Sequence, residues 1–585
     1  MDTGTSSSPQ RRAITLTGLV VGLTACGSDE PPPGPGQVVR DAAVDGASGD
    51  GFPDDGGGDS GSDQCRTCSD DLHSVIDCET KAVVSTCGQG LGCGPEGTCV
   101  PACESANGNQ SSIGCEFYTF VPYSSAGRSC IAAFVNNVWD EPVEVTIEFD
   151  GRTIPGKDHA YIPKGQGDAI TYEPLPDGRI PEGEMAIVFL SDEKPAPEGA
   201  LACPVEAAIT GGEGLASSIA VGKAFRISTS APTAAYDIFP FGGAETFVTS
   251  ATLLLPTSVW GTNYIGVTPY QDSKTRGLTL VAKEDTQITI LPTADIKGSQ
   301  GVPSATAGTA VVYSLAKGNF LNLLQGADLS GSVIESDRPI GLWAQHWAMK
   351  IPVNVGHADG AHQQIPPVHA LGHEYVAVRY RNRGSTEEVV PWRIVAAVDG
   401  TELTFDPPQP GVATTLAQGE VLVFDSAGPF VVRSQGASHP FYAAAHMTGK
   451  FMTDAETGDP EMVNLIPPSQ FLPSYVFFAD PTYANTNLVM VRAKGTGGFA
   501  DVTLDCAGVL DGWKPVGGDG AYEYTRIDLR RDGAKVGQCD NGRHEISSKA
   551  PFGLVVWGFD DAVSYAYPGG AGARPVNTVK VPTVL

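Results

Sequence analysis

The feature that most constrains this chain is a proline that returns. Pro232, Pro339, Pro440 and Pro551 each interrupt a strand-like run. The first three are followed by a second landmark: Leu253-Leu-Leu-Pro256, Gln364-Ile-Pro366-Pro367 and Leu465-Ile-Pro467-Pro468. A third comes after that, as Gly261-Thr-Asn-Tyr264, Gly372-His-Glu-Tyr375 and Ser474-Tyr475. Landmarks that recur in order about a hundred residues apart signal one supersecondary unit copied in tandem. That interval is the size of a small all-β domain.

The runs between the landmarks read as strands. Val143-Glu-Val145-Thr-Ile147-Glu-Phe149 alternates apolar and polar residues, so one face is expected to be buried, and Asp150-Gly151 supplies a turn. Counterparts begin at Thr286, Thr401 and Ala500. At offsets one, three and five after the marker proline stand Ile340, Leu342 and Ala344, then Phe441, Ala443 and Ala445, then Phe552, Leu554 and Val556. Period two places each triplet on one face, the expected core. Gly 71 and Pro 44 with 18% charged residues suit turn-rich β structure, and no window shows helical periodicity with caps. The expected fold is all-β, with tandem β-sandwich-like units over 116–244, 245–350, 351–448 and 449–570 and a tail over 571–585. The alternative is a β-propeller-like arrangement in which each unit makes two blades.

Ahead of the units the chain changes character. Arg11-Arg12, an apolar stretch to Leu23 and the lipobox Leu23-Thr-Ala-Cys26 read as a lipoprotein signal over 1–26. Lipidation of Cys26 would make the membrane a partner through acyl chains and place the mature chain outside the cytoplasm, at an outer membrane or cell surface. Residues 27–64 are acidic and rich in Gly and Pro, with Arg40 the lone cation, and are expected to form a disordered linker. Over 65–115 stand Cys65, Cys68, Cys78, Cys87, Cys93, Cys99, Cys103 and Cys115. Their spacings offer no second Cys-x-x-Cys, so structural disulfides are expected, with connectivity open among about a hundred pairings. Cys130 with Cys203 and Cys506 with Cys539 are further disulfide candidates, each within one unit. Together they imply an oxidising compartment. The net charge of −30 argues against nucleic acid as a partner.

Four runs carry a family resemblance: Asp328-Leu-Ser-Gly-Ser-Val-Ile-Glu-Ser-Asp-Arg-Pro-Ile340, His362-Gln-Gln-Ile-Pro-Pro367, Asp459-Pro-Glu-Met462 and Ser564-Tyr-Ala-Tyr-Pro568-Gly-Gly. Over about residues 116–570 the chain resembles the N-terminal domain family named after the IgG-Fc-binding protein. The resemblance implies secretion or surface attachment and extracellular binding or adhesion, to a protein or glycan the sequence does not identify, and no known reaction. It departs from the family at Gly360-Ala361, where members commonly carry Cys-Asp. Gly458-Asp-Pro-Glu461 also lacks the histidine of the self-cleaving motif found in domains that accompany some relatives.

No nucleophile elbow, phosphate loop or His-Glu-x-x-His motif is present, and the chain is not expected to be an enzyme or to need a cofactor. Two constellations remain. His346, His357 and His362 fall close together with Asp359 between them, a residue mix that suits a transition metal if the fold converges it. Trp343 and Trp347 lie off the core triplet and are candidates for an exposed ligand-binding patch. Three readings follow: a binding or adhesion lipoprotein, a passive envelope component, or a metal-dependent secreted enzyme.

Overall fold

The computed structural model describes residues 65–582 apart from 70, 125–128, 247, 271 and 273. The signal peptide, the lipobox with Cys26 and the acidic linker lie outside the described residues. Backbone pairing shows what the marker proline does. In unit 2 the first half of the long strand Val333–Met349 pairs with the opening strand Gly261–Ile265 and with Thr286–Leu291. Its second half pairs with Arg276–Ala282 and with the inner strand Asp359–Ile365. Pro339 lies between Ser336, the partner of Ile288, and Ile340, the partner of Ala282. A proline has no N–H to give a ladder, so it is tolerated where a strand leaves one sheet for another.

The other units repeat the device. In unit 1 the long strand Phe225–Phe239 pairs first with Ile113–Thr119 and Val145–Phe149, then with Ile131–Asn137 and the inner strand Ser250–Leu254. In unit 4 Gly542–Asp560 pairs with Leu472–Ala479 and Val502–Leu504, then with Asn485–Ala493 and the inner strand Val563–Pro568. The long strand of unit 3 is in two pieces, Phe430–Arg433 and Phe441–Met447, with Pro440 just ahead of the second and Glu461–Asn464 as the inner strand. Units 1, 2 and 4 are therefore each built about one long strand that changes partners midway, and unit 3 has two sheets linked by a broken one, sandwich-like as expected. Pairing carries units 1 to 3 to their inner strands, past the divisions drawn from sequence at 244, 350 and 448.

The three landmarks are one contact. The Tyr264 hydroxyl accepts from Gly261 N at 3.0 Å and donates to Ile340 O at 2.5 Å. Tyr375 accepts from Gly372 N at 3.0 Å and donates to Phe441 O at 2.8 Å, and Tyr475 ties Leu472 N to Phe552 O in the same way. In each case the accepting carbonyl belongs to the residue after the marker proline. The glycines are required because Pro367 and Pro467 press on them: a Cβ at Gly261 or Gly372 would sit 2.6 or 2.4 Å from a proline carbon. In unit 1 Pro256 presses on Gly114 likewise, and Phe117 stands where the others have tyrosine.

Past the marker proline both faces of the long strands are largely buried, in different cores. Ile340, Leu342 and Ala344 fill the core of unit 2, while Trp343 between them joins the core of unit 1. Phe441, Ala443 and Ala445 belong to unit 3, while Tyr442 and Ala444 pack into unit 2. Phe552, Leu554 and Val556 lie in the core that units 4 and 1 share, while Trp557 and Phe559 pack into unit 3. Unit 4 in turn meets unit 1, where Phe134 and Phe478 lie 4.8 Å apart and Tyr236 donates to Val476 O at 3.1 Å. The four units thus close into a ring, and the inner strands pack against one another in cyclic order about its axis. Whole units, not half-units, stand where propeller blades would.

Six disulfides join Cys65–Cys78, Cys68–Cys93, Cys87–Cys99, Cys103–Cys115, Cys130–Cys203 and Cys506–Cys539. Cys65 and Cys68 have different partners, so their Cys-x-x-Cys spacing is structural. The Cys-rich module holds the helix Ala102–Asn109 and docks on unit 1 by burying Leu72 and Ala106 with Trp139.

Candidate functional site

Each inner strand pairs with its long strand along one edge, which turns the other edge toward the axis. Unpaired backbone groups on a buried edge must find partners, and here side chains from neighbouring inner strands supply them. Gln363 Nε2 donates to Ala251 O at 2.6 Å and to Ala566 O at 3.1 Å, so one amide spans three units. Gln364 Oε1 accepts from Leu255 N at 2.7 Å, and Asn464 Nδ2 donates to Gln364 O at 2.7 Å. Ser250 Oγ accepts from His362 N at 3.1 Å and donates to Glu461 Oε1 at 3.3 Å.

Where the chain turns into the inner strands, three buried carboxyl groups gather: Asp359, Asp459 and Glu461. Asp359 accepts Thr249 N at 2.7 Å and Ser564 N at 2.6 Å. Asp459 donates its backbone N–H to Ser564 Oγ at 2.8 Å and accepts Lys450 N at 3.2 Å. Burial pushes all three up; for Asp359 the nearby Asp459 charge adds to it while the two N–H bonds pull the other way. For Asp459 burial outweighs the Lys450 N–H and the Arg383 charge and pushes it up to about 7. Asp359 offers both oxygens to N–H donors. Asp459 Oδ2 and Glu461 Oε2 make no hydrogen bond.

The loops leading into these strands form one face of the ring. Phe451 is 50% and Met452 48% exposed, and among the described residues no other phenylalanine or methionine is as exposed. The Phe451 ring lies 5.1 Å from the exposed His357 and under Lys450, which pairs with Asp561. His357 holds a left-handed φ of 65°, a conformation a β-carbon disfavours and the surrounding loop must fix.

The structure separates the three histidines. His346 bonds to Asp272 at 3.0 Å and His362 to Asp237 at 2.6 Å, both buried, while His357 is out on the loop face. They do not converge, because His346 and His362 lie on adjacent strands, where Gln345 faces His362 and Ala361 faces His346, and each turns to a different carboxylate. Burial lowers the His346 pKa more than Asp272 raises it. Among the described residues the group of three potential ligands within coordination reach is instead Asp505, Cys506 and His544. There Cys506 is bonded to Cys539, and His544 bridges Asp505 and the Asp540 carbonyl.

The two tryptophans form no exposed patch. Trp343 is fully buried, 5.4 Å from Phe120 and 6.0 Å from Trp260, because unit 1 covers the face opposite the core triplet. Trp347 is partly buried beneath Lys274. Sequence reasoning missed Phe451-Met452, which carry no repeat signal. It did single out Asp459-Pro-Glu-Met462, which supplies two of the axial carboxyls.

The family described as IgGFc binding protein matches residues 250–558. The match runs from the inner strand of unit 1 into the long strand of unit 4, and so contains the loop face with Phe451. Human IgGFc-binding protein is 24% identical over 341 residues, 56% of this chain. The chain spans 6% of the length of that relative. No solved structure matches. With just over half of its residues matched, and these building most of the ring, the chain belongs to the IgGFc-binding protein family.

Proposed function

We propose that this chain is an extracytoplasmic binding protein, held to a membrane by lipid on Cys26, and that the ring displays the loop face of residues 350–358 and 448–460 to a protein or glycan. One observation carries this reading. The carboxyl groups of the axis are buried, with Asp359 and Gln363 capping strand edges, whereas Phe451 and Met452 at the ring's loop face stand in solvent. A rigid β scaffold with function in its loops fits binding better than turnover. Six disulfides suit an oxidising exterior, and no helix among the described residues is long and apolar enough to cross a membrane. The test is binding of the purified chain to immobilised Fc fragment, mucin-type glycoprotein and a glycan array. A ligand is expected whose binding falls at least about tenfold in Phe451→Asp/Met452→Asp. A ligand bound equally well by that variant overturns the placement on this face. Labelled fatty acid that fails to enter Cys26 in the native host overturns the anchor.

A further inference from the structure

A groove runs along the seam where the last unit of the ring meets the first. Its volume is about 490 Å³, and it opens onto a second space of about 130 Å³ that also touches Asp71 and Trp139. Four carboxylates line it: Asp71 from the Cys-rich module, Asp140 and Glu182 from unit 1, and Glu545 from unit 4. No lysine or arginine lines it. One guanidinium stands beside it, Arg543, which pairs with Glu545 and donates to Gly183 O. His73 lies 3.4 Å from Asp140, its ring stacked 4.3 Å from the Trp139 indole. The seam therefore keeps an excess of negative charge that its own cations do not match.

The wall contributed by unit 4 is a strand with one side unpaired by backbone. Leu472–Ala479 pairs within the sheet only with Gly542–Asp560, and its residues 474–476 border the groove, with the Val476 carbonyl taken by the Tyr236 hydroxyl. Across the groove the buried indole N–H of Trp139 has no acceptor. A strand edge, a spare donor and a row of carboxylates fit one kind of ligand: an extended backbone whose side chains are cationic.

We propose that the seam groove binds an extended lysine- or arginine-bearing segment of another protein, which lies along residues 474–476 and sets its cations against Asp71, Asp140 and Glu182. Asp71, Asp140 and Glu182 lie outside residues 250–558, and no residue of the loops 350–358 and 448–460 lines the groove, so the site is separate from the loop face and does not depend on it. The net charge of −30 will draw any polycation weakly, and the test must separate that from a site.

The probe is a short peptide of alternating lysine and threonine, with its glutamate counterpart as control, titrated by fluorescence anisotropy into the full chain at low and at physiological salt. Asp140→Asn/Glu182→Gln is expected to weaken lysine-peptide binding by about tenfold or more, whereas Glu284→Gln/Asp532→Asn, with the same change in net charge at exposed sites outside the groove, leaves it unchanged. Hydrogen exchange at residues 474–476 is expected to slow when the peptide binds. Equal weakening by both double variants, or exchange at 474–476 that does not respond, overturns the proposal, and so does the absence of binding at low salt. Phe451→Asp/Met452→Asp should leave peptide binding intact, so failure of the loop-face reading and failure of this one are told apart.

Discussion

Changing Tyr375 to phenylalanine tests whether the hydroxyl at the sheet crossing holds the unit together. The ring stays, so no cavity opens, and the change removes one oxygen that donates to Phe441 O at 2.8 Å and accepts from Gly372 N at 3.0 Å. Both backbone groups lie beside a 1% exposed side chain, where water does not replace the lost partner. Two net hydrogen bonds are worth about 1 kcal/mol each, and each buried group left unsatisfied adds to that, so the expected loss is about 2–4 kcal/mol. The assay is urea denaturation followed by tryptophan fluorescence, with hydrogen exchange locating the loosened segment. Exchange should quicken at 372–377 and at 441–447, the two pieces the hydroxyl joins. Tyr264→Phe should cost a similar amount, and the two losses should add, because the sites lie in different units. A loss under about 0.5 kcal/mol with unchanged exchange would refute the claim that the tyrosine fastens the crossing. Unit 1, with Phe117 at this position, shows that a unit can be built without it when other contacts close the corner.

Other outcomes follow from the same geometry. The raised axial acids make the folded chain hold protons that the unfolded chain releases, so stability should fall as pH rises from about 4 through about 7; the thermal midpoint should drop between pH 5 and 8, and by less in Asp459→Asn. The carboxylates lowered mainly by side-chain bonds and charges that overcome burial, Asp272 with His346 and Asp328 with Arg393, act oppositely and cause loss below about pH 4, so the fall at each end is separable by variant. Cys130→Ala/Cys203→Ala opens a 73-residue loop and should cost about 4 kcal/mol on the chain-entropy model, read by denaturation under oxidising conditions. Trp343→Ala should cost about 3–5 kcal/mol by emptying the junction of units 1 and 2, and should change ligand binding only as far as it unfolds the chain.

How much of this was written legibly in the chain depends on the range of the interaction. Alternation around Val145, Ile147 and Phe149 marked a strand, and the triplets after the marker prolines marked a core face, because a strand's period is local. The recurrence of Gly, Tyr and Pro was visible, but not that all three meet at one crossing, since Gly372 and Pro467 are far apart in sequence. Trp343 was misplaced for a related reason. Its strand's second face looks free until another unit is seen to cover it. His346 and His362 lie near each other in the chain, yet carboxylates 74 and 125 residues away claim them separately. The axial carboxyls could be named but not buried by inspection, because burial there is made by four strands at once.

Closure of the ring has a consequence for how the chain is made. Tyr236 rests its hydroxyl on Gly569 O, which the ribosome adds 333 residues later. Until then Phe134 and Tyr236 have no neighbour on that side, so the first-made unit waits with an open flank while three more are built. A chain cut short of its last unit would leave two such flanks bare, each apolar and each shaped to receive a unit from a sister molecule.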